Sequence, residues 1–204
     1  MNKDFETKTS GENNTELEFN KKTVYDEIFD WIRSAAVALI CVLFIFSFCF
    51  RWVVISGESM ENTLLDGERV IVSGLFYEPK CGDIVIISRN YTNDKAFEME
   101  ENGLIIKRVI ATGGQTVDID FDRGVVLVDG KELDEPYTKT PTFTSGGTQF
   151  PLEVPDGKVF VLGDNRRESL DSRYPVIGLI DERYILGKAL FRVFPLSKFG
   201  DLYE

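Results

Sequence analysis

Hydrophobic and polar positions divide this chain into three regions. The first 20 residues, "MNKDFETKTSGENNTELEFN", are polar and poor in apolar side chains, a composition that reads as a disordered tail. Next comes "SAAVALICVLFIFSFCF", Ser34 to Phe50, 17 residues without a charge. Beyond it the pattern turns to short β-branched runs bounded by turn residues: "RVIVSGLF" (69–76), "DIVIIS" (83–88), "LIIKRVIA" (104–111), "KVFVLGD" (158–164) and "ALFRVFP" (189–195). "TVDIDFDRGVVLVDGKEL" alternates strand and turn, and Asp129-Gly130 marks a hairpin. Only "DERYILG" hints at a helical turn. Regular short strands with glycine turns predict a mainly β chain, an antiparallel sheet domain after one apolar helix. The stretch 134–157 holds four of the seven prolines and reads as a surface excursion, a lid or substrate rim.

The apolar segment predicts a spanning helix. The only two tryptophans, Trp31 and Trp52, bracket it. On a continuous helix they would stand roughly 31 Å apart, which matches a hydrocarbon core with an aromatic belt at each face. Arg33 and Arg51 can snorkel outward from there. "SFCFRW" offers no small-residue cleavage site, which argues against a removable leader. Lys21, Lys22 and Arg33 precede the span and Arg51 and Arg69 follow it, a slight bias toward a cytoplasmic N-terminus. The exposed run Trp52, Val53, Val54 and Ile55 would hold the following domain against lipid.

Composition removes several chemistries. The chain of 204 residues contains no histidine, so neither a Ser-His-Asp site nor an imidazole metal site can form. Three cysteines, Cys41, Cys49 and Cys81, allow neither a four-thiolate metal site nor an even-numbered disulfide framework. A formal net charge of −11 argues against nucleic acid as a partner. A serine nucleophile here would need a lysine, a carboxylate or an α-amine as its base.

Three polar interruptions then stand out. "SGESMENTL" (56–64) follows the apolar segment and does not pattern as a core strand. "LIIKRVIA" carries adjacent Lys107 and Arg108. Alternation puts Lys107 on one face with Ile105, Val109 and Ala111, and Arg108 on the other with Ile106 and Ile110. An ammonium among aliphatic side chains is poorly solvated, which favours the neutral amine, a competent base. The same lysine could instead sit at a strand edge and reach solvent along its stem. "GDNRRESLDSR" (163–173) packs many hydrogen-bonding groups into one loop, either a scaffold or a solvated surface turn with ion pairs.

"SGESMENTL", "GDIVII", "LIIKRVIATGG" and "GDNRRESLDSR", in this order after one apolar span, resemble the motifs of bacterial type I signal peptidases, the Ser-Lys dyad leader peptidases. The terminal "GKALFRVFPLSKFG" resembles that family's last strand, so the likeness covers most of 31–199. It implies an antiparallel catalytic β domain with a β-rich inserted cap. The division is then a cytoplasmic tail 1–30, an anchor and interface 31–55, and an extracytoplasmic peptidase domain 56–204 with a cap-like insertion at about 113–157.

The resemblance implies Ser59 as nucleophile and Lys107 as general base, with Ser169 orienting the lysine. Asp171 and Arg173 correspond to an acid and base that hold the loop. Arg108 and Asp164 resemble a second charge pair, although the sequence does not show which acid Arg108 meets. The Ser59 backbone N–H is expected to serve the oxyanion, the second donor being local backbone or Ser56. The implied substrates are preprotein signal peptides, bound extended along a strand edge at the outer face of the cytoplasmic membrane, with no cofactor and no metal. Ile105 or Ile106 is a candidate wall for the substrate pockets. Two positions depart from the pattern: Asn62 replaces a usual proline, and Gly57 stands where some relatives carry a serine. Two other readings share features: the self-cleaving Ser-Lys repressors, which have a DNA-binding domain and no span, and a membrane-anchored β domain that binds a partner without catalysis.

Overall fold

The computed structural model describes residues 24–88 and 104–203, so Lys21, Lys22 and most of the tail lie outside the described residues. Two compact units are separated at Ser47/Phe48.

Helix α1, Val24–Cys49, 26 residues, makes up the described part of the first unit, and its last two residues fall in the second. It starts with Asp26 and Glu27 in its first turn, where carboxylates favour the positive end of the helix dipole. Its apolar side chains are exposed, Leu43 at 60% and Phe44 at 64%. One expectation is corrected here. The helix ends at Cys49, and Trp52 lies on a strand, paired with Ile71, so Trp31 and Trp52 are not two points on one helix. The run "FRWVV" is β-branched and aromatic, and an available edge partner draws it into a sheet.

The second unit is built on two antiparallel sheets. The larger is formed by β1 (Phe50–Val54), β2 (Arg69–Ser73), β3 (Ile84–Ser88), β4 (Leu104–Thr112), β9 (Lys158–Leu162), β10 (Ile180–Asp181), β11 (Ile185–Phe194) and β12 (Gly200–Asp201). Its order is β1-β2-β11-β3-β4-β9-β10, with β12 paired to β11. The smaller sheet joins β5 (Thr116–Asp120), β6 (Val125–Val128), β7 (Lys131–Glu132) and β8 (Leu152–Glu153) in the order β7-β6-β5-β8. In sequence it lies entirely between β4 and β9. The β6–β7 turn uses Asp129 at φ 51 and Gly130 at φ 73, the two left-handed positions of a tight hairpin. The helical hint near Asp181 is a single 3₁₀ turn, Glu182–Tyr184, capped by the Asp181 side chain.

Strand β3 is buried on both faces. Ile84 and Ile86 pack with Ile55, Met60, Leu64 and Val70, whereas Val85 and Ile87 pack with Ile105, Val109, Val159 and Val161. A third cluster sets Val117, Ile119 and Val126 of the small sheet against Ile110, Phe160 and Leu162. Ala111 belongs to that third cluster, not to the cluster of Ile105 and Val109. The β4–β9 register shifts between Val109 and Ala111, and such a bulge resets the alternation on which the sequence reading relied. Ile55 is likewise not exposed: it is 2% accessible and packs beside Met60, while Trp52 and Val54 remain open at 68% and 50%. The stretch 134–157 is not a free rim either, since Thr142 and Val154 within it are fully buried.

Candidate active site

Strand β1 leads into Ile55, whose N–H donates to Glu68 O, and Gly67 N–H returns a bond to Ile55 O. The chain then leaves the sheet. Gly57 turns at φ 84, a left-handed value that glycine adopts without cost, and its N–H donates to Asp66 Oδ1 at 2.9 Å. A tight turn follows, with Glu61 N–H donating to Glu58 O and Leu64 N–H to Met60 O. Met60 and Leu64 anchor this turn in the core at 1% and 0% exposure. Ser59 is thereby held at the lip of a buried cluster. The Glu61–Asn62 peptide bond is cis.

Lys107 comes from the middle of β4 and is 3% exposed. Its Nζ lies 2.8 Å from Ser59 Oγ and donates to Ile106 O at 3.0 Å. The two residues share a cleft of about 330 Å³ with Trp52, Val53, Val54, Ser56, Leu104 and Ile106. Of the two isoleucines beside the lysine, Ile106 lines this cleft, whereas Ile105 is core. Ser56 shares the cleft with Ser59, while the Gly57 N–H is already spent on Asp66.

The loop after β9 supports this pair from behind. Asn165 N–H donates to Ser59 O at 3.0 Å, and Asn165 Nδ2 donates to Glu58 O at 3.1 Å. Gly163 is equally close: a Cβ built there would stand 2.5 Å from Ser59 O and 2.3 Å from Ser169 Oγ. Neither Asn165 nor Gly163 stood out from the sequence as a contact of Ser59. Their only signal was membership of a dense polar loop. Ser169 is 4% exposed, but its Oγ finds no hydrogen-bond partner among the described residues, so the expected bond to Lys107 is not formed in this structure.

Two buried ion pairs fasten the loop. Arg173 grips Asp171 through Nε–Oδ1 at 2.8 Å and Nη2–Oδ2 at 2.9 Å. Asp171 also accepts from Gly163 N–H, and Arg173 Nη2 donates to Arg166 O. The acid that Arg108 meets is Asp164, with Nε–Oδ1 at 2.8 Å and Nη2–Oδ2 at 2.7 Å. Burial opposes the Arg108 charge, but Asp164 overrides it and raises the guanidinium further above its ordinary range. Thr63 Oγ1 donates to the same carboxylate, so the turn after Ser59 is tied to Asp164 even with asparagine at 62.

These features match a known family. The family model described as "Signal peptidase, peptidase S26" covers residues 28–194. The chain belongs to the signal peptidase family. Signal peptidase I of Bacillus licheniformis is 35% identical over 189 residues, which is 88% of this chain and 94% of that protein. Signal peptidase IB of Staphylococcus aureus (strain COL) is 37% identical over 191 residues, 85% of this chain and 93% of that protein. A solved signal peptidase I structure from Enterococcus faecalis V583 aligns with a TM-score of 0.41 and 28% identity, over 55% of this chain and 97% of that one. A mainly antiparallel β domain preceded by one apolar helix is thus found in a chain of this family.

Proposed function

We propose that this protein is a membrane-anchored serine endopeptidase that removes signal peptides from exported preproteins, with Ser59 as nucleophile and Lys107 as general base. The observation that carries this reading is the 2.8 Å approach of Lys107 Nζ to Ser59 Oγ inside an open cleft. Lys107 is 3% exposed, and its neutral amine is the form that accepts a proton. Ser59 Oγ attacks the scissile carbonyl carbon as its proton passes to Lys107 Nζ. The Ser59 N–H is one donor to the resulting oxyanion, and Ser56 is the candidate for the second. Collapse of the tetrahedral species breaks the C–N bond, and Lys107 gives its proton to the leaving amine. Lys107 then takes a proton from the water that hydrolyses the acyl-enzyme.

The sheet edges support an extended substrate. Residues Leu104–Lys107 pair with β3 on one side, while β9 begins its pairing only at Arg108. Among the described strands the other edge of Leu104–Lys107 is open, and β1 pairs with β2 alone. A peptide in the cleft can therefore add backbone hydrogen bonds to a strand edge. Ile106, Val53 and Leu104 offer shallow apolar walls suited to small side chains. Helix α1, long enough at about 39 Å to cross a bilayer, supports the anchor. We place the N-terminus inside and the β domain on the outer face, with exposed Trp52 and Val54 toward the lipid surface.

The test is incubation of the detergent-solubilised full chain with a preprotein, with cleavage followed by the appearance of the mature protein. Wild type should cut and Ser59→Ala should not, with unchanged thermal unfolding. Substantial turnover by Ser59→Ala would remove Ser59 from the mechanism.

A further inference from the structure

A segment of the inserted region, 135–142, crosses all three stretches that build the site. The Glu135 carboxylate accepts from Arg166 Nη1 at 3.0 Å, and Arg166 Nε donates to Gly163 O. Tyr137 lays its ring over Arg108, with Cζ 3.8 Å from the ring centroid. Lys139 N–H donates to Asp164 O at 2.9 Å, and Lys139 Nζ forms an ion pair with Glu61, two residues from Ser59. The segment thus touches the nucleophile turn, the lysine strand and the loop behind them.

Arg108 is where these ties converge. Its Nε and Nη2 are bound to Asp164 and its Nη1 to Gly82 O at 2.8 Å. The N–H groups of a guanidinium point outward within its plane, so these bonds act mainly along that plane. They resist sliding within the plane and do little against displacement along its normal. A desolvated aromatic face against the cation supplies that restraint. Consecutive Cα atoms are about 3.8 Å apart, so a displacement of the Arg108 backbone reaches Lys107 through one rigid peptide unit. The other end of the assembly, Asp164, follows Gly163 and accepts from Thr63 Oγ1.

We propose that Tyr137 is a positioning residue for the Ser59–Lys107 pair, acting through Arg108. It touches neither of them. Its ring closes the open face of Arg108 and fixes the depth of β4 relative to the nucleophile turn. The phenol hydroxyl donates to Glu135 Oε1 at 3.0 Å and so fixes the ring's own placement, but the restraint on Arg108 comes from the ring. This inference rests on the Ser59–Lys107 reading above.

The experiment compares Tyr137→Phe, Tyr137→Leu and Tyr137→Ala in the full-length detergent-solubilised protein. The assay is run well below the melting temperature of each variant, and kcat is corrected for the folded fraction. Tyr137→Phe keeps the ring and should retain kcat within about twofold. Tyr137→Leu fills much of the volume without a π face and should lower kcat about tenfold or more at nearly unchanged KM, because misplacing a reacting group by a fraction of an ångström costs rate before binding. Tyr137→Ala should fall at least as far.

If Tyr137→Leu and Tyr137→Ala keep wild-type kcat and lose only melting temperature, Tyr137 is structural and the proposal is overturned. Failure of both to fold has the same meaning. Tyr137→Phe falling as far as Tyr137→Leu would also overturn it, since the hydroxyl would then be the working group. Ser59→Ala is run alongside. If that variant still cleaves, the Ser-Lys reading itself has failed, whatever Tyr137 does.

Discussion

Gly163→Ala tests the geometry behind Ser59, the proposed nucleophile. The added methyl would sit 2.5 Å from Ser59 O, 2.3 Å from Ser169 Oγ and 2.5 Å from Ser169 Cβ. Ordinary contact begins near 3.4 Å, so Ser59 O would have to retreat by about 0.9 Å. The Ser169 hydroxyl can rotate away, but Ser169 Cβ moves only with its backbone, and the Ser59 carbonyl is itself backbone and accepts a hydrogen bond from Asn165 N–H. The retreat therefore carries Ser59 with it and strains that bond. Overpacking of this kind costs typically about 1–3 kcal/mol of stability. A misplacement near 1 Å at a reacting group costs about 10²-fold in rate. The expected result is a fall in kcat of about a hundredfold with only a modest loss of melting temperature, read by preprotein cleavage and thermal unfolding. A variant with kcat within about threefold of wild type would show that the two loops separate freely. The claim that the 163–173 loop holds Ser59 in place would then be wrong.

Other outcomes follow from the same geometry. Lys107→Arg keeps a cation of similar reach but cannot be deprotonated, so it should be as inactive as Lys107→Ala; near-normal cleavage would make Lys107 a fixed charge instead of a base. Asp171→Asn leaves the buried Arg173 uncompensated where both side chains are at most 1% exposed, and should cost about 3–5 kcal/mol in denaturant unfolding; a loss under about 1 kcal/mol would mean that water reaches the pair.

Local chemistry was enough to establish much of this protein. Short β-branched runs bounded by turn residues located β2, β3, β4, β9 and β11 to within a few residues, because buried strands need β-branched side chains and turns need glycine. The absence of histidine narrowed the candidate bases of Ser59, and the ordered motifs named Lys107. Alternation also separated Lys107 from Arg108 correctly as far as Val109. The tertiary structure decided whatever depends on a partner distant in sequence. The bulge that moves Ala111 to another cluster exists only because β4 must pair with β9. Trp52 sits on a strand and not at a helix end because β2 offers it an edge, and an apolar run does not declare which it will become. That Arg108 meets Asp164, 56 residues away, follows from the docking of the loop after β9. The contacts of Gly163 and Asn165 with Ser59, and of Tyr137 with Arg108, have the same origin. They join segments roughly 30 to 100 residues apart, and no period or local propensity encodes a contact at that separation.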